Sequence, residues 1–207
     1  ICDQGPAMLV NGQVVSRLTD SRIKHICELV ETGIEVARWP AEFFQVDDNI
    51  RRRDLLLSDV TTTASPDGSG LRALLGSDGD AVLEVIEESG LRGRGGAGFR
   101  TALKWRFCKQ AEGEQHYVVC NADEGEPGTF KDRVLLNSYA DSVFEGMTLC
   151  AGIIGARQGF LYLRGEYRYL LESLERVLQQ RRDQGLLGQR ILGKEDFDFD
   201  IEIHLGA

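Results

Sequence analysis

From Tyr117 onward the sequence alternates short apolar runs with longer helical stretches, and that order leaves few folds open. Tyr117 to Cys120 reads as a buried strand, about Ser138 to Ile154 as a helix, and Gly159 to Leu163 as a second strand. A helix over about Tyr167 to Gln184 and a last strand over Phe199 to Leu205 repeat the unit. Strands separated by helices of about ten or more residues cannot be joined as hairpins; they form a parallel sheet with helical crossovers. The expected fold class is therefore α/β. In such sheets ligands sit beyond the carboxyl ends of the strands, on the loops that follow.

The chain before this sheet is less regular. Ala7 to Val15 is short, apolar and β-prone. Thr19 and Asp20 suit the start of a helix, Ile23, Ile26, Cys27 and Val30 recur at helical spacing, and Gly33 suits its stop. One strand and one helix cannot enclose a core, so residues 1–35 read as the tail of a domain that begins earlier. Residues 36–75 read as a connector, with Trp39-Pro40, the basic run Arg51 to Arg53, and a Thr/Ser/Pro/Gly stretch from Thr61 to Gly70. Short helices over Leu71 to Leu75 and Asp80 to Glu88 lead into a third unit, 76–207, the second helix with Val82, Val85 and Ile86 as its apolar stripe.

A net charge of -9 argues against nucleic acid as the main partner, because a phosphate backbone is bound through excess Lys and Arg. The apolar runs fall well short of the 18 or so residues that span a bilayer, so no membrane insertion is expected. Five scattered cysteines, odd in number and without a C-x-x-C pair, fit a reducing cytosol and give no zinc-ligand spacing.

Against that acidic background, Ser89 to Ala111 holds six basic residues (Arg92, Arg94, Arg100, Lys104, Arg106, Lys109) and no acid. Its first half, Gly90 to Phe99, has five glycines in ten positions. Glycine lets backbone N–H groups approach an anion without a side chain in the way, and a helix opening near Thr101, a candidate N-cap, would add its dipole. Gly93, Gly95 and Gly98 satisfy G-x-G-x-x-G literally, but a dinucleotide fingerprint needs a strand before it and a helix precedes this one. There is no Walker Lys-Ser pair. A glycine-rich surface loop followed by a solvated basic helix remains the plain alternative. Phe99 and Phe107 flank the basic residues and could be core or stacking platforms.

A second unusual segment, Asn121-Ala122-Asp123-Glu124-Gly125-Glu126-Pro127-Gly128, follows the first strand of the sheet, where ligand contacts are expected. Its acids and amide can hydrogen-bond ribityl, ribose and carboxamide groups. The alternatives are an ordinary acidic turn or a calcium loop, although calcium loops place acids at every second position.

Taken together, Gly90 to Phe99, Leu103-Lys104-Trp105, Asn121 to Arg133, Glu145-Gly146-Met147 and Tyr162 to Tyr167 resemble the NADH-binding flavoprotein subunits of respiratory complex I, NAD-reducing nickel-iron hydrogenases and NAD-linked formate dehydrogenases. The resemblance is dense from about Ser89 to Ala207. It implies a flavin mononucleotide (FMN) site in which Gly93, Arg94, Gly95 and Gly96 pack against the flavin, Lys104 contacts it, and Asn121, Asp123 and Glu124 bind it. Glu126 matches a residue near the nicotinamide, and Phe99 and Phe107 match aromatics that stack on the NADH adenine. Cys2-Asp3-Gln4-Gly5-Pro6-Ala7 resembles the end of a thioredoxin-like [2Fe-2S] domain fused ahead of the flavin domain in the hydrogenase branch, with Cys2 as a cluster ligand. Arg100 and Ala102 depart from the proline and glycine more usual in the wider family.

The implied activity is that of a diaphorase: hydride transfer between NAD(H) and FMN, then single-electron transfer to iron-sulfur clusters. No side chain need act as acid or base. Implied partners are NAD(H) and the other subunits of a multi-subunit redox complex, an iron-sulfur diaphorase small subunit and hydrogenase subunits in a cytoplasmic enzyme. The same module in complex I or formate dehydrogenase, or a non-catalytic nucleotide-binding or assembly piece, are the alternatives. The family's next motif, Tyr-x-Cys-Gly-Glu-Glu, is not found in these 207 residues, so the resemblance implies an incomplete site and weak flavin retention by residues 1–207 alone.

Overall fold

The computed structural model describes residues 4–47 and 68–206. Cys2, the expected cluster ligand, and the run Arg51 to Arg53 lie outside the described residues.

The front unit holds a hairpin where a single β-prone run was expected. Strands β1 (Met8–Val10) and β2 (Gln13–Val15) pair antiparallel, with Met8 opposite Val15. Asn11 and Gly12, both at positive φ (49° and 79°), supply the two-residue turn whose twist suits a hairpin. Helix α1 (Asp20–Glu31) begins as expected, the Thr19 hydroxyl accepting from the Arg22 N–H at 3.2 Å. Its buried face differs from the expected stripe: Ile26 and Leu29 are buried, whereas Ile23, Cys27 and Val30 are exposed. The reason lies downstream. Short 3-10 turns at Val36–Arg38 and Ala41–Phe43 bring Trp39 and Phe43 against Val15, Ile26 and Leu29 as a small separate core, and the Trp39 indole donates to the Ile34 carbonyl at 2.9 Å. The first part of the expected connector thus packs on the front unit.

Its last part packs on the main body. Helix α2 (Ser69–Leu75) buries Leu71 and Leu74 in the main core, with α3 (Gly79–Glu88) and α4 (Thr101–Gln110) beside it. Strand β3 (Tyr117–Ala122), helix α5 (Lys131–Ile154), strand β4 (Gln158–Leu163), helix α6 (Leu171–Asp183) and strand β5 (Asp200–Leu205) then form the expected parallel sheet, in the order β3-β4-β5. Tyr117 aligns with Gln158 and Gln158 with Asp200. Val118, Ala122, Leu161, Leu163 and Ile201 face a core that includes Phe144, Met147 and Ala151 of α5 and Leu174 and Leu178 of α6. Tyr117, Val119 and Tyr162 alternate with them and are exposed.

Helix α5 starts seven residues before the expected Ser138, and the extra part is offset by a non-helical Tyr139 (φ -138°, ψ 26°). A tertiary bond described below stabilises that early start. No helix among the described residues is long and apolar enough to cross a membrane.

Candidate cofactor-binding site

The glycine-rich segment forms a small loop closed on itself. The Gly93 N–H donates to the Phe99 carbonyl at 2.9 Å, the Thr101 N–H to the Leu91 carbonyl at 3.0 Å, and the Arg92 guanidinium to the Gly98 carbonyl at 3.0 Å. Gly96 and Gly98 take φ of 151° and 64°, conformations costly for a side chain. A Cβ placed on Gly95, Gly96 or Gly98 would meet no protein atom within 4 Å, so the intramolecular packing does not require glycine there. The loop leads into α4, whose N-cap position is Arg100, not Thr101, and no side chain caps it.

The surplus of positive charge divides in two. Arg106 pairs with Glu87 at 2.9 Å and Lys109 with Asp80 at 2.7 Å, both acids on α3. Arg94, Arg100 and Lys104 are exposed, and their side chains have no hydrogen bond or ion pair among the described residues. The two cations that the resemblance assigned to the flavin, Arg94 and Lys104, are thus among those the fold leaves unpaired. Phe99 and Phe107 are 51% and 57% exposed, which rules out the core alternative for both.

The acidic loop follows β3 at its carboxyl end, as the topology predicts. Asn121 is exposed and its amide oxygen accepts from the Asp123 N–H at 3.1 Å. Glu124 behaves differently from its expected role. It is 7% exposed, has a positive φ of 46°, and turns its carboxylate inward. One oxygen accepts from the Asp132 N–H at 2.7 Å, and the other from the Arg133 N–H at 3.2 Å and the Tyr167 hydroxyl at 2.8 Å. The carboxylate therefore satisfies the free N–H groups that open α5 and favours its dipole, which explains the early helix start. The Glu124 carboxylate is thus engaged within the protein, which leaves the backbone around it to face a ligand. Glu126, two residues on, is exposed.

Arg164 and Tyr167, both within the stretch Tyr162 to Tyr167 that carries the resemblance, hold this loop in place. Arg164 Nη1 donates to the carbonyls of Asp123, at 3.3 Å, and of Glu124, while Nη2 donates to Glu166 at 2.7 Å. That bond raises the pKa of Arg164 and lowers that of Glu166. Burial, then the bond to Glu124, pushes the Tyr167 phenol above its ordinary range. Their position just after β4 was the available sequence signal, since that loop lies beside the one after β3 in a parallel sheet.

A cleft of about 730 Å³ opens on the acidic loop, lined by Glu124 to Thr129, by Arg164, Glu166 and Tyr167, and on its other side by Met8, Leu9 and Val14 of the hairpin. Glu126 is the expected site residue that faces it together with Glu124; the glycine loop and Lys104 are not in its lining.

Comparison with known proteins gives a consistent picture. A family model described as the Nuo51 FMN-binding domain matches residues 86–207. The alpha subunit of the NAD-reducing hydrogenase HoxS of Cupriavidus necator is 47% identical across 100% of this chain, which covers 36% of that protein. An NADH-quinone oxidoreductase subunit of Escherichia coli is 42% identical over 66% of this chain and 31% of its own length. A crystal structure of an NAD+-reducing [NiFe]-hydrogenase in the H2-reduced state superposes with a TM-score of 0.87 at 43% identity, over 99% of this chain and 34% of that one. The chain spans about a third of the length of these relatives.

Proposed function

The chain belongs to the Nuo51 FMN-binding domain family, and from that premise we propose that it is the flavin- and NADH-binding part of a diaphorase subunit in a cytoplasmic NAD-reducing hydrogenase. The observation that carries this reading is the glycine loop: positions without packing neighbours, two of them at positive φ, beside the unpaired cations Arg94 and Lys104. Open backbone plus free positive charge in a chain of net charge -9 fits an anionic, planar cofactor.

Gly93, Arg94, Gly95, Gly96 and Lys104 would hold FMN from one side, and Asn121, Asp123 and the backbone around Glu124 from the other. Bound there, the flavin would supply the change from two-electron exchange with NAD(H) to one-electron exchange with iron-sulfur clusters. The chain's own groups orient and neutralise. Arg94 and Lys104 offset phosphate charge, Glu126 orients the nicotinamide end through hydrogen bonds, and Phe99 and Phe107 offer exposed rings for the adenine. Cys2 would be a ligand of a [2Fe-2S] cluster in a thioredoxin-like domain to which the front unit belongs, and the further partners are an iron-sulfur diaphorase small subunit and hydrogenase subunits. The hydrogenase branch is favoured over complex I because the hydrogenase relative matches the front unit as well, whereas the complex I relative covers 66% of the chain.

The test is made on the complete subunit purified with its partners. Stoichiometric flavin in the visible spectrum and NADH oxidation with an artificial acceptor are expected. Lys104→Met should lower flavin content, and Glu126→Ala should raise KM for NADH about tenfold, the loss of roughly one hydrogen bond. A colourless complex that does not oxidise NADH overturns the reading, and unchanged kinetics in Glu126→Ala remove that residue from it.

A further inference from the structure

We infer that Arg164 is the positioning residue of the ligand-contacting loop, acting through the carbonyls of Asp123 and Glu124. This rests on the reading of that loop as part of the flavin and nicotinamide site.

Three observations converge on it. First, the guanidinium spans two loops: Nη1 donates to two consecutive carbonyls of the loop after β3, and Nη2 to Glu166 of its own loop. A planar fork with fixed donor directions can hold two acceptors at once where a lysine ammonium cannot. Second, the conformation it holds is costly. Glu124 is a non-glycine residue at a φ of 46°, a state that persists only when its surroundings over-determine it. Its carboxylate is fixed from behind by Asp132, Arg133 and Tyr167, and its carbonyl from the front by Arg164. Third, a peptide unit is planar and trans, so a carbonyl directed at Arg164 turns the N–H of the next residue the opposite way. That residue is the exposed Gly125, whose N–H has no partner among the described residues. Arg164 thereby aims a free backbone donor and fixes where Glu126 begins. Arg164, Gly125 and Glu126 all line the same cleft.

The role differs from simple structural support, because the backbone N–H of Arg164 already joins the loops through the Ala122 carbonyl at 3.1 Å. Removing the guanidinium leaves that bond and the β3-β4 ladder in place.

The experiment compares Arg164→Ala and Arg164→Lys with Arg176→Ala, an exposed α6 arginine paired with Glu172, in the complete subunit with its partners. Expected for Arg164→Ala are faster amide hydrogen exchange over residues 124–129, a shifted visible flavin spectrum, and a KM for NADH raised about tenfold with a smaller change in kcat. Arg164→Lys, which keeps the charge and is the variant to read should the alanine variant fail to fold, should show the same direction and recover only part of the loss. Unchanged exchange in both variants overturns the proposal. Faster exchange with an unchanged spectrum and KM also overturns it, since the loop would then be held for stability alone. If the parent protein binds neither flavin nor NADH, the functional reading fails, and the clamp on the loop is judged by hydrogen exchange alone.

Discussion

The Tyr167 hydroxyl donates to a carboxylate oxygen of Glu124 at 2.8 Å, joining the loop after β4 to the loop after β3 across 43 residues of chain. Both side chains are buried, so this bond has little competition from water. Tyr167→Phe leaves a buried carboxylate with one donor fewer and should cost about 1–3 kcal/mol in urea unfolding. It should also change the alkaline limb of the stability profile. The folded-state phenol is raised above the ordinary value of about 10, chiefly by burial and then by Glu124. Its stabilising contribution is present in full below about pH 10 and is lost as the pH climbs through the raised value. The parent protein should therefore lose stability above about pH 10 more steeply than the phenylalanine variant, as thermal melts across the alkaline range would show.

Two glycines should respond in opposite ways. A Cβ on Gly159 would lie 2.6 Å from the Phe199 ring, so Gly159→Ala should overpack the core and cost about 1–3 kcal/mol. A Cβ on Gly95 would meet nothing, so Gly95→Val should leave the unfolding of flavin-free protein within about 0.5 kcal/mol of the parent. If the proposed site is right, flavin content should nevertheless fall in Gly95→Val, because the added side chain would occupy the space assigned there to the cofactor. Denaturant unfolding of the stripped protein and visible absorbance of the loaded protein separate the two effects.

The cysteines should differ sharply in reactivity. Burial, with a further contribution from Asp132, raises the Cys120 thiol to about 11. Burial, with Cys108 next in weight, raises Cys150 to about 12. Both stay protonated at neutral pH, and a thiol is a far poorer nucleophile than a thiolate. Cys27 is exposed. Alkylation of the folded protein near pH 8, followed by mass spectrometry, should label Cys27 first and leave Cys120 and Cys150 unmodified until denaturant is added.

Arg181 is fully buried on α6, with Nη1 at 2.8 Å from Asp141 and 3.8 Å from Glu145, both on α5. Glu145 in turn accepts from the Gly70 N–H of α2 at 3.0 Å. Arg181→Met removes the cation and leaves two partly buried carboxylates side by side, which should cost about 3–5 kcal/mol in urea unfolding. Adding Asp141→Asn should recover part of that loss by removing one of the uncompensated charges.

The sheet was legible because its signal is local and repeated. Each strand is a short apolar run between helical stretches, and the crossovers force parallel pairing whatever the detailed packing. The hairpin at Asn11-Gly12 was legible in principle from the same dipeptide that makes its turn. The buried face of α1 was not, because Ile23, Ile26 and Val30 have the same local pattern and only Trp39 and Phe43 select Ile26 and Leu29. The start of α5 was hidden for a similar reason: the group that satisfies its first N–H donors is Glu124, eight residues upstream of Asp132 and outside the usual capping position.

The sequence by itself determined the parallel α/β order, the basic glycine-rich segment ahead of α4 and the acidic loop after β3, since each depends on residue types within one short stretch. Tertiary structure decided which charges remain available. Arg106 and Lys109 are neutralised by α3 while Arg94 and Lys104 are left free, and Glu124 is drawn inward by Tyr167 while Glu126 stays exposed. A charged side chain's role depends on the partner within about 4 Å of it, and here those partners come from other helices and from the neighbouring loop of the sheet.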